Sequence, residues 1–505
     1  MSSIKSSQVS RCMSTQHPDN ISSPFFADGE VIQSDAEVKE AFYVFSQLGC
    51  KEQMWDSEGK EADNQVVEKL LSRYTEFFSK NLIGRDLFLT YRVPNPAIQK
   101  EQGKILLETL HSIPRAFDVA QSVNNGIAPI FEIILPMTTS AEELERIRDY
   151  YSKVMVGQRD TIIGKLGKSG VGSGGISVKD WIGDFKPDEI NVIPLFETSE
   201  ALLGCADIVE EYLHGKEKKL EYQRVFLARS DPALNYGAAA AVLMAKCALF
   251  DLQELEGRIN VELLPILGVG GAPFRGNFRP DNVSNCGDEY PSVQTFTAQS
   301  SFKYDHHPRD VINAVDILNH SKRSEALSID RSASLGYIEK MKSHYQKEIS
   351  HLADIINAIA SHIPARRSRK LHIGLFGYSR SLKGMRLPRA INFCAALYSV
   401  GLPPEFLGLG GLTEKELDGL REIYVKLDED LRDAGKFFSR KAFNELPHEI
   451  QKSVAPVIDS ILEDCETDPD YEALAYRTII NIKGGHTVTL TEDVKRMAWM
   501  RKFLG

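Results

Sequence analysis

The chain is poor in cysteine, has no long apolar run and has no block of basic residues, and each shortage narrows what it can be. Its seven cysteines among 505 residues lie far apart and form no C-x-x-C pair. That pattern excludes a disulfide framework and a structural zinc site, and it fits the reduced thiols of a cytoplasm. No stretch is apolar enough to span a bilayer, and the polar residues 1–12 lack the apolar centre of a signal peptide. A cytoplasmic protein without a membrane partner is expected. Lys and Arg total 60 against 70 for Asp and Glu, a net charge of −10, and no basic run is interleaved with aromatics. Nucleic acid is therefore not expected as a partner.

What is present is ordinary globular composition, 42% hydrophobic and 26% charged, in a chain long enough for a large enzyme domain. Eight short apolar runs alternate with helical stretches: Gly49–Trp55, Leu87–Tyr91, Ile130–Leu135, Ile190–Phe196, Arg224–Ala228, Val261–Leu267, Val293–Thr297 and Leu371–Phe376. Apolar strands separated by helices predict a parallel sheet covered by helices, and eight of them predict an α/β fold closed as a (β/α)8 barrel with many additional helices. Met13 follows a polar stretch, so residues 1–12 read as an extension and residues 13–505 as one barrel domain. From about residue 414 onward the sequence is helical and acidic.

Barrel enzymes carry their reactive groups where strands end, and here those ends are charged: Asp56 and Glu58, Arg92, Glu197, Asp231, Arg275 and Arg380. Carboxylates with arginines suit an anionic substrate held through a divalent metal, and oxygen-only ligands favour Mg2+ or Mn2+ over zinc. Asp231, followed by Pro232, fits a helix cap as well as a metal ligand. The loop Gly268–Gly276 (GVGGAPFRG) lets backbone approach a ligand closely and ends near an arginine, whose rigid fork matches oxyanions. The stretch Gly167–Gly175 lacks the phosphate-loop spacing and reads as a loop or lid. Arg380, Arg386 and Arg389 crowd one segment; an anion or solvent must offset their repulsion, and solvent suits Arg386. His17 precedes Pro18 within Ser14–Asn20 (STQHPDN), so it is expected in a rigid extended turn, as a proton acceptor near neutral pH or as a solvated loop residue.

These motifs resemble archaeal-type phosphoenolpyruvate carboxylase, the short form of that family, over nearly the whole chain. STQHPDN is similar to the family's His-Pro signature, PLFET to its metal-glutamate motif and ARSDPALNYG to its metal-aspartate motif. GVGGAPFRG is similar to its glycine-arginine loop, and YSR with PRAINFCAALYSVGLPPEFLGLG to its arginine segments. FTAQSSFKYD resembles a further family stretch. The resemblance implies a barrel of the phosphoenolpyruvate-binding type. It implies that His17 and Arg275 are catalytic, that Arg92, Arg380 and Arg389 bind the substrate phosphate, and that Glu197 and Asp231 hold Mg2+ or Mn2+, with no biotin. Two family residues are replaced, an arginine by Val269 and a lysine by Leu234.

The implied reaction joins phosphoenolpyruvate and bicarbonate to give oxaloacetate and phosphate, through carboxyphosphate and an enolate, in a homotetramer that supplies four-carbon acids to the tricarboxylic acid cycle. Two other readings stand beside it. A metal-dependent barrel lyase would share the two carboxylates without needing bicarbonate, and a non-catalytic phosphometabolite binder would have no reason to retain His17 and Arg275. Asp56, Glu58, His306, His307 and His486 have no assigned role in the sequence.

Overall fold

A computed structural model describes residues 5–58, 63–164, 175–367, 380–382, 385–462 and 467–505. Eight parallel strands close into a barrel: β1 (Cys12–Ser14), β2 (Glu52–Asp56), β3 (Phe88–Arg92), β4 (Glu132–Leu135), β5 (Asn191–Phe196), β6 (Tyr222–Ala228), β7 (Glu262–Gly268) and β8 (Thr295–Ala298). The strands follow one another around the ring, and β1 closes it by pairing with β8 (Cys12 opposite Phe296) and with β2 (Met13 opposite Glu52). The α/β barrel read from the apolar runs is the observed architecture.

One of its members is different from the sequence expectation. Seven of the eight runs overlap barrel strands, whereas Leu371–Phe376 lies outside the described residues and the ring closes without it. The remaining strand is Cys12–Ser14, three residues long, so the boundary drawn after residue 12 passes through it, and Val9 and Ser10 before it are already buried. A three-residue strand with polar neighbours carries no periodic signal; its pairing on both edges makes it a strand.

Inside the barrel, side chains follow the period of two that strands impose. On β6, Tyr222, Arg224, Phe226 and Ala228 alternate with Val225 and Leu227, which join the outer core. Arg224 donates to Glu52 (2.7 and 2.9 Å) and to Glu132 (3.1 Å), forming a buried polar layer. Above it lies an apolar layer with Met13, Met54, Ile134, Ile193, Leu195, Phe226 and Ile266. The next inward positions, among them Asp56 on β2 and Arg92 on β3, reach the C-terminal mouth.

Helices cover the barrel wall. Those that position the site are α1 (Asp35–Ser46), α2 (Ser230–Tyr236), α3 (Ala238–Arg258), α4 (Ser300–Tyr304), α5 (Arg331–Ala360) and α6 (Ala390–Ser399). Helix α3 opens with AAAAVLMAKCAL and is buried all round from Ala238 to Leu249, as expected of a helix enclosed by protein. Residues 414–501 carry six helices among the described residues, the last being α7 (Leu490–Arg501). No helix of the described residues is long and apolar enough to cross a membrane.

Glu405, just after α6, is buried with Tyr398 donating to it at 2.6 Å. Burial pushes its carboxyl up to about 7. The folded chain thus holds this proton more tightly than the unfolded chain does, so the contribution to stability is full below about pH 4 and is lost as pH rises through about 7. Glu405→Gln keeps the shape and the tyrosine partner but cannot ionise. Its stability relative to the parent is expected to rise between about pH 5 and pH 8 by on the order of 2 kcal/mol. Thermal unfolding at the two pH values checks this, and a constant difference would count against it.

Candidate active site

A cavity of about 550 Å3 opens over the C-terminal ends of the strands, and His17, Arg92, Glu197, Asp231, Arg275 and Arg389 all line it. Six of the seven residues singled out in the sequence therefore meet in one space. The seventh, Arg380, has its backbone in a short hairpin opposite Leu387, and its side chain lies outside what the structure describes. A second hollow of about 670 Å3, lined by residues such as Glu217, Lys219 and Glu262, lies at the other end of the barrel, where barrel enzymes do not carry out their chemistry.

Arg92 ends β3 directly opposite Asp56, which ends β2. Its guanidinium donates to both Asp56 oxygens, at 2.9 and 2.6 Å, with Glu58 3.4 Å from Nε. All three residues are buried. Asp56 and Glu58, which had no role in the sequence, thus aim Arg92 and compensate its charge. The signal was the register of two adjacent parallel strands, which spacing along one chain does not reveal. Asp56→Asn is expected to raise KM for an anionic substrate about tenfold, by weakening a charge-assisted pair, while leaving the product unchanged. Steady-state kinetics check this, and an unaltered KM would remove Asp56 from the positioning of Arg92.

His17 sits where β1 gives way to a pinned turn. Its carbonyl accepts from Asp19 N (3.1 Å) and Ser300 N (3.2 Å), and farther along Asp305 accepts from the amides of Ile21 (2.8 Å) and Ser22 (2.7 Å). The rigid turn expected from Pro18 is what these bonds produce. The ring's Nδ1 lies 2.9 Å from Thr15 Oγ1. Beneath it, buried Lys303 on α4 donates to Ser14 Oγ (3.0 Å), the Thr15 carbonyl (2.9 Å) and Glu40 on α1 (2.8 Å). Burial pushes the Glu40 carboxyl up, but Arg367 and Lys303 outweigh that and hold it well below the usual range.

Arg275, 2% exposed, is held on several sides. Nε donates to Ser230 Oγ (3.0 Å), Nη1 to Asp19 (3.2 Å) and to the Gly505 carbonyl (2.9 Å), and Nη2 to Gln299 (2.5 Å). Among the described residues four of the five guanidinium N–H groups are thus engaged, the fifth being on Nη2. Asp19 also accepts from Ser301 N (2.7 Å), Ser301 Oγ (2.9 Å) and Gly271 N (3.3 Å), so it ties the histidine turn to the glycine loop and to α4. The loop needs its glycines. A Cβ on Gly270 would lie 2.9 Å from Arg275 Nη1, and Gly276 has φ +122° with Val269 at 2.6 Å from its would-be Cβ. Helix α7 reaches the same place, because Arg501 donates to Tyr471 OH (2.6 Å) and to the Leu504 carbonyl (3.0 Å), and Leu504 N donates to the Asp19 carbonyl (2.6 Å). Asp19, Gln299, Ser230 and Gly505 were missed in the sequence, although the motifs QHPDN and FTAQSS contain two of them.

Glu197 follows β5, and Asp231 stands in the first turn of α2 after β6, the adjacent strand. The cap position of α2 is Arg229, not Asp231, and α3 starts separately after Gly237, which counts against the capping alternative. Glu197 also accepts from Met137 N at 2.8 Å. Among the described residues no group of three or more His, Cys, Asp and Glu is placed to hold a metal. Two carboxylates on a cavity wall nevertheless fit a hard divalent cation that keeps several waters and takes further oxygens from a substrate.

Arg389 stands at the N-terminus of α6, whose sequence is the AINFCAALYS segment, while Arg386 is exposed, as its solvated reading had it. Val269 and Leu234 are buried in the outer core and neither lines the cavity. His306, pushed down to about 4 by burial, and His307, whose ring accepts from Arg309 N at 3.3 Å, also lie away from it. His486 is exposed. Residues 167–174 of the glycine stretch lie outside the described part.

The fold and this site define the chain as a (β/α)8-barrel protein with its polar groups gathered over the strand C-termini. The family model for phosphoenolpyruvate carboxylase matches residues 9–505. A phosphoenolpyruvate carboxylase of Methanothermobacter thermautotrophicus is 48% identical over 504 residues, covering 99% of this chain and all (100%) of the relative. One of Pyrococcus furiosus is 47% identical over 504 residues, covering 98% and 100%. Among solved structures, a Haloferax volcanii malate synthase in its magnesium/glyoxylate complex matches at a TM-score of 0.36 and 9% identity, over 66% of this chain and 84% of that one. The chain belongs to the phosphoenolpyruvate carboxylase family.

Proposed function

We propose that the protein carboxylates phosphoenolpyruvate with bicarbonate, giving oxaloacetate and phosphate, and so replenishes four-carbon acids of the tricarboxylic acid cycle. The observation that carries the reading is the convergence of His17, Arg92, Glu197, Asp231, Arg275 and Arg389 on one cavity at the barrel mouth. Arg92 and Arg389, with Arg380, neutralise the phosphoryl oxygens while bicarbonate attacks phosphorus, the electrostatic contribution that usually dominates such transfers. The products of this step are carboxyphosphate and the enolate of pyruvate. Glu197 and Asp231 would hold Mg2+ or Mn2+, which would supply positive charge to offset that of the enolate.

His17 takes the proton of carboxyphosphate, which breaks down to carbon dioxide and phosphate. Arg275 keeps carbon dioxide beside the enolate, whose methylene carbon attacks it. The apolar part of the cavity wall, including Leu195, Phe226, Ile391 and Leu504, restricts water, which would otherwise protonate the enolate to pyruvate. No biotin is needed, because carboxyphosphate activates the carboxyl group. The working form is a homotetramer in the cytoplasm.

The test is oxaloacetate formation from phosphoenolpyruvate, coupled to NADH oxidation by malate dehydrogenase, with Mg2+ and bicarbonate each present or omitted. A rate that needs both is expected. Carbon–carbon chemistry that proceeds without bicarbonate and releases no phosphate would instead favour a barrel lyase.

A further inference from the structure

We propose that Thr15 is a positioning residue for His17, holding the imidazole through Nδ1 in a way that stays partnered whether the ring carries one proton or two. The inference rests on the reading of His17 as the proton acceptor. Thr15 is wholly buried, its amide donates to the Ala298 carbonyl at 3.0 Å, and its own carbonyl accepts from Lys303 at 2.9 Å. Lys303 is itself fixed by Ser14 and Glu40. The backbone on which the hydroxyl stands is thus anchored to β8 and α4, and a β-branched side chain has few rotamers. Its Oγ1 lies 2.9 Å from Nδ1, which leaves Nε2 as the nitrogen turned away from Thr15.

For Nε2 to accept a proton, the hydrogen of the neutral ring must sit on Nδ1, where it donates to Thr15 Oγ1. As the O–H bond of carboxyphosphate breaks, the proton goes to Nε2, and the O–H electron pair forms the second C=O bond of carbon dioxide. The C–O pair leaves with phosphate, and Nδ1–H keeps its acceptor throughout. A hydroxyl can also turn and donate to a bare Nδ1, so it serves the other neutral tautomer as well. A carboxylate in its place would favour the imidazolium so strongly that the proton would be held, and a methyl group would support neither state.

The experiment compares Thr15→Val, which keeps the shape, with Thr15→Ser, which keeps the hydroxyl. Phosphate, oxaloacetate and pyruvate are measured separately in each full-length protein with phosphoenolpyruvate, Mg2+ and bicarbonate, and thermal unfolding reports the fold. In Thr15→Val, oxaloacetate formation is expected to fall about tenfold with a matching rise in the pyruvate share, while bicarbonate-dependent phosphate release stays within about threefold of the parent. Thr15→Ser is expected to restore the oxaloacetate share. Parent-like coupling in Thr15→Val, equal uncoupling in both variants, or a parallel fall of all three products overturns the inference. Failure of the parent to make oxaloacetate at all would instead overturn the carboxylase reading, and a fully coupled His17→Asn would overturn the role of His17, so the three failures are distinguishable.

Discussion

Replacing His17 by Asn is expected to change the product from oxaloacetate to pyruvate. Asn resembles the imidazole in size and can still bond Thr15 across the 2.9 Å gap now spanned by Nδ1, but it does not take up a proton near neutral pH. In the proposed mechanism the phosphoryl-transfer step relies on Arg92, Arg389 and the carboxylate pair rather than on His17, so bicarbonate-dependent phosphate release should persist. Carboxyphosphate then lacks the group that accepts its proton, and the enolate is protonated before carbon dioxide is delivered. General-base contributions are typically ~100-fold or more, so oxaloacetate formation should fall by at least about that factor. Phosphate assay beside lactate and malate dehydrogenase couplings reads the partition. Undiminished oxaloacetate formation would remove His17 from the mechanism.

Arg275→Lys should be nearly as damaging although it conserves charge. The guanidinium spans Ser230, Asp19, Gly505 and Gln299 from three nitrogens, whereas a lysine has one nitrogen on a flexible stem. The ammonium can stay near Asp19, so the buried carboxylate is not abandoned, but the acceptors on Gln299 and Gly505 lose their donor in a nearly water-free place. Each such orphaned group costs about 1–3 kcal/mol, so a measurable fall in the unfolding temperature should accompany the loss. The remaining N–H on Nη2, which the proposed function assigns to the carbon dioxide beside the enolate, is lost as well, and removal of one donor aimed at developing charge costs ~100-fold or more in kcat. A variant that folds and turns over at the parent rate would show that charge alone matters at this position.

The residues that meet at the cavity were legible because the proposed chemistry requires particular atoms. A proton acceptor, two carboxylates and several arginines cannot be replaced by arbitrary side chains, and His17, Glu197, Asp231 and Arg275 each stand in a motif that announces them. The barrel was legible for a related reason. Strands enclosed on both faces must be apolar, which leaves runs such as IFEIIL and VELLPIL in the sequence. Where that pressure is absent the signal disappears, as it does for Cys12–Ser14, whose strand character comes from Phe296 and Met13's partner Glu52 on either side.

By itself, then, the sequence determined the strand and helix alphabet, the barrel class and most of the polar side chains that line the cavity, because periodicity and side-chain chemistry are properties of short stretches. Tertiary structure alone decided which groups hold those atoms in place. Asp56 meets Arg92 only through the register of two strands, Asp19 meets Arg275 across 256 residues of chain, and Gly505 meets Arg275 across 230. Orientation and charge compensation depend on distances in space, and such distances are set when the barrel closes and α7 packs against its mouth.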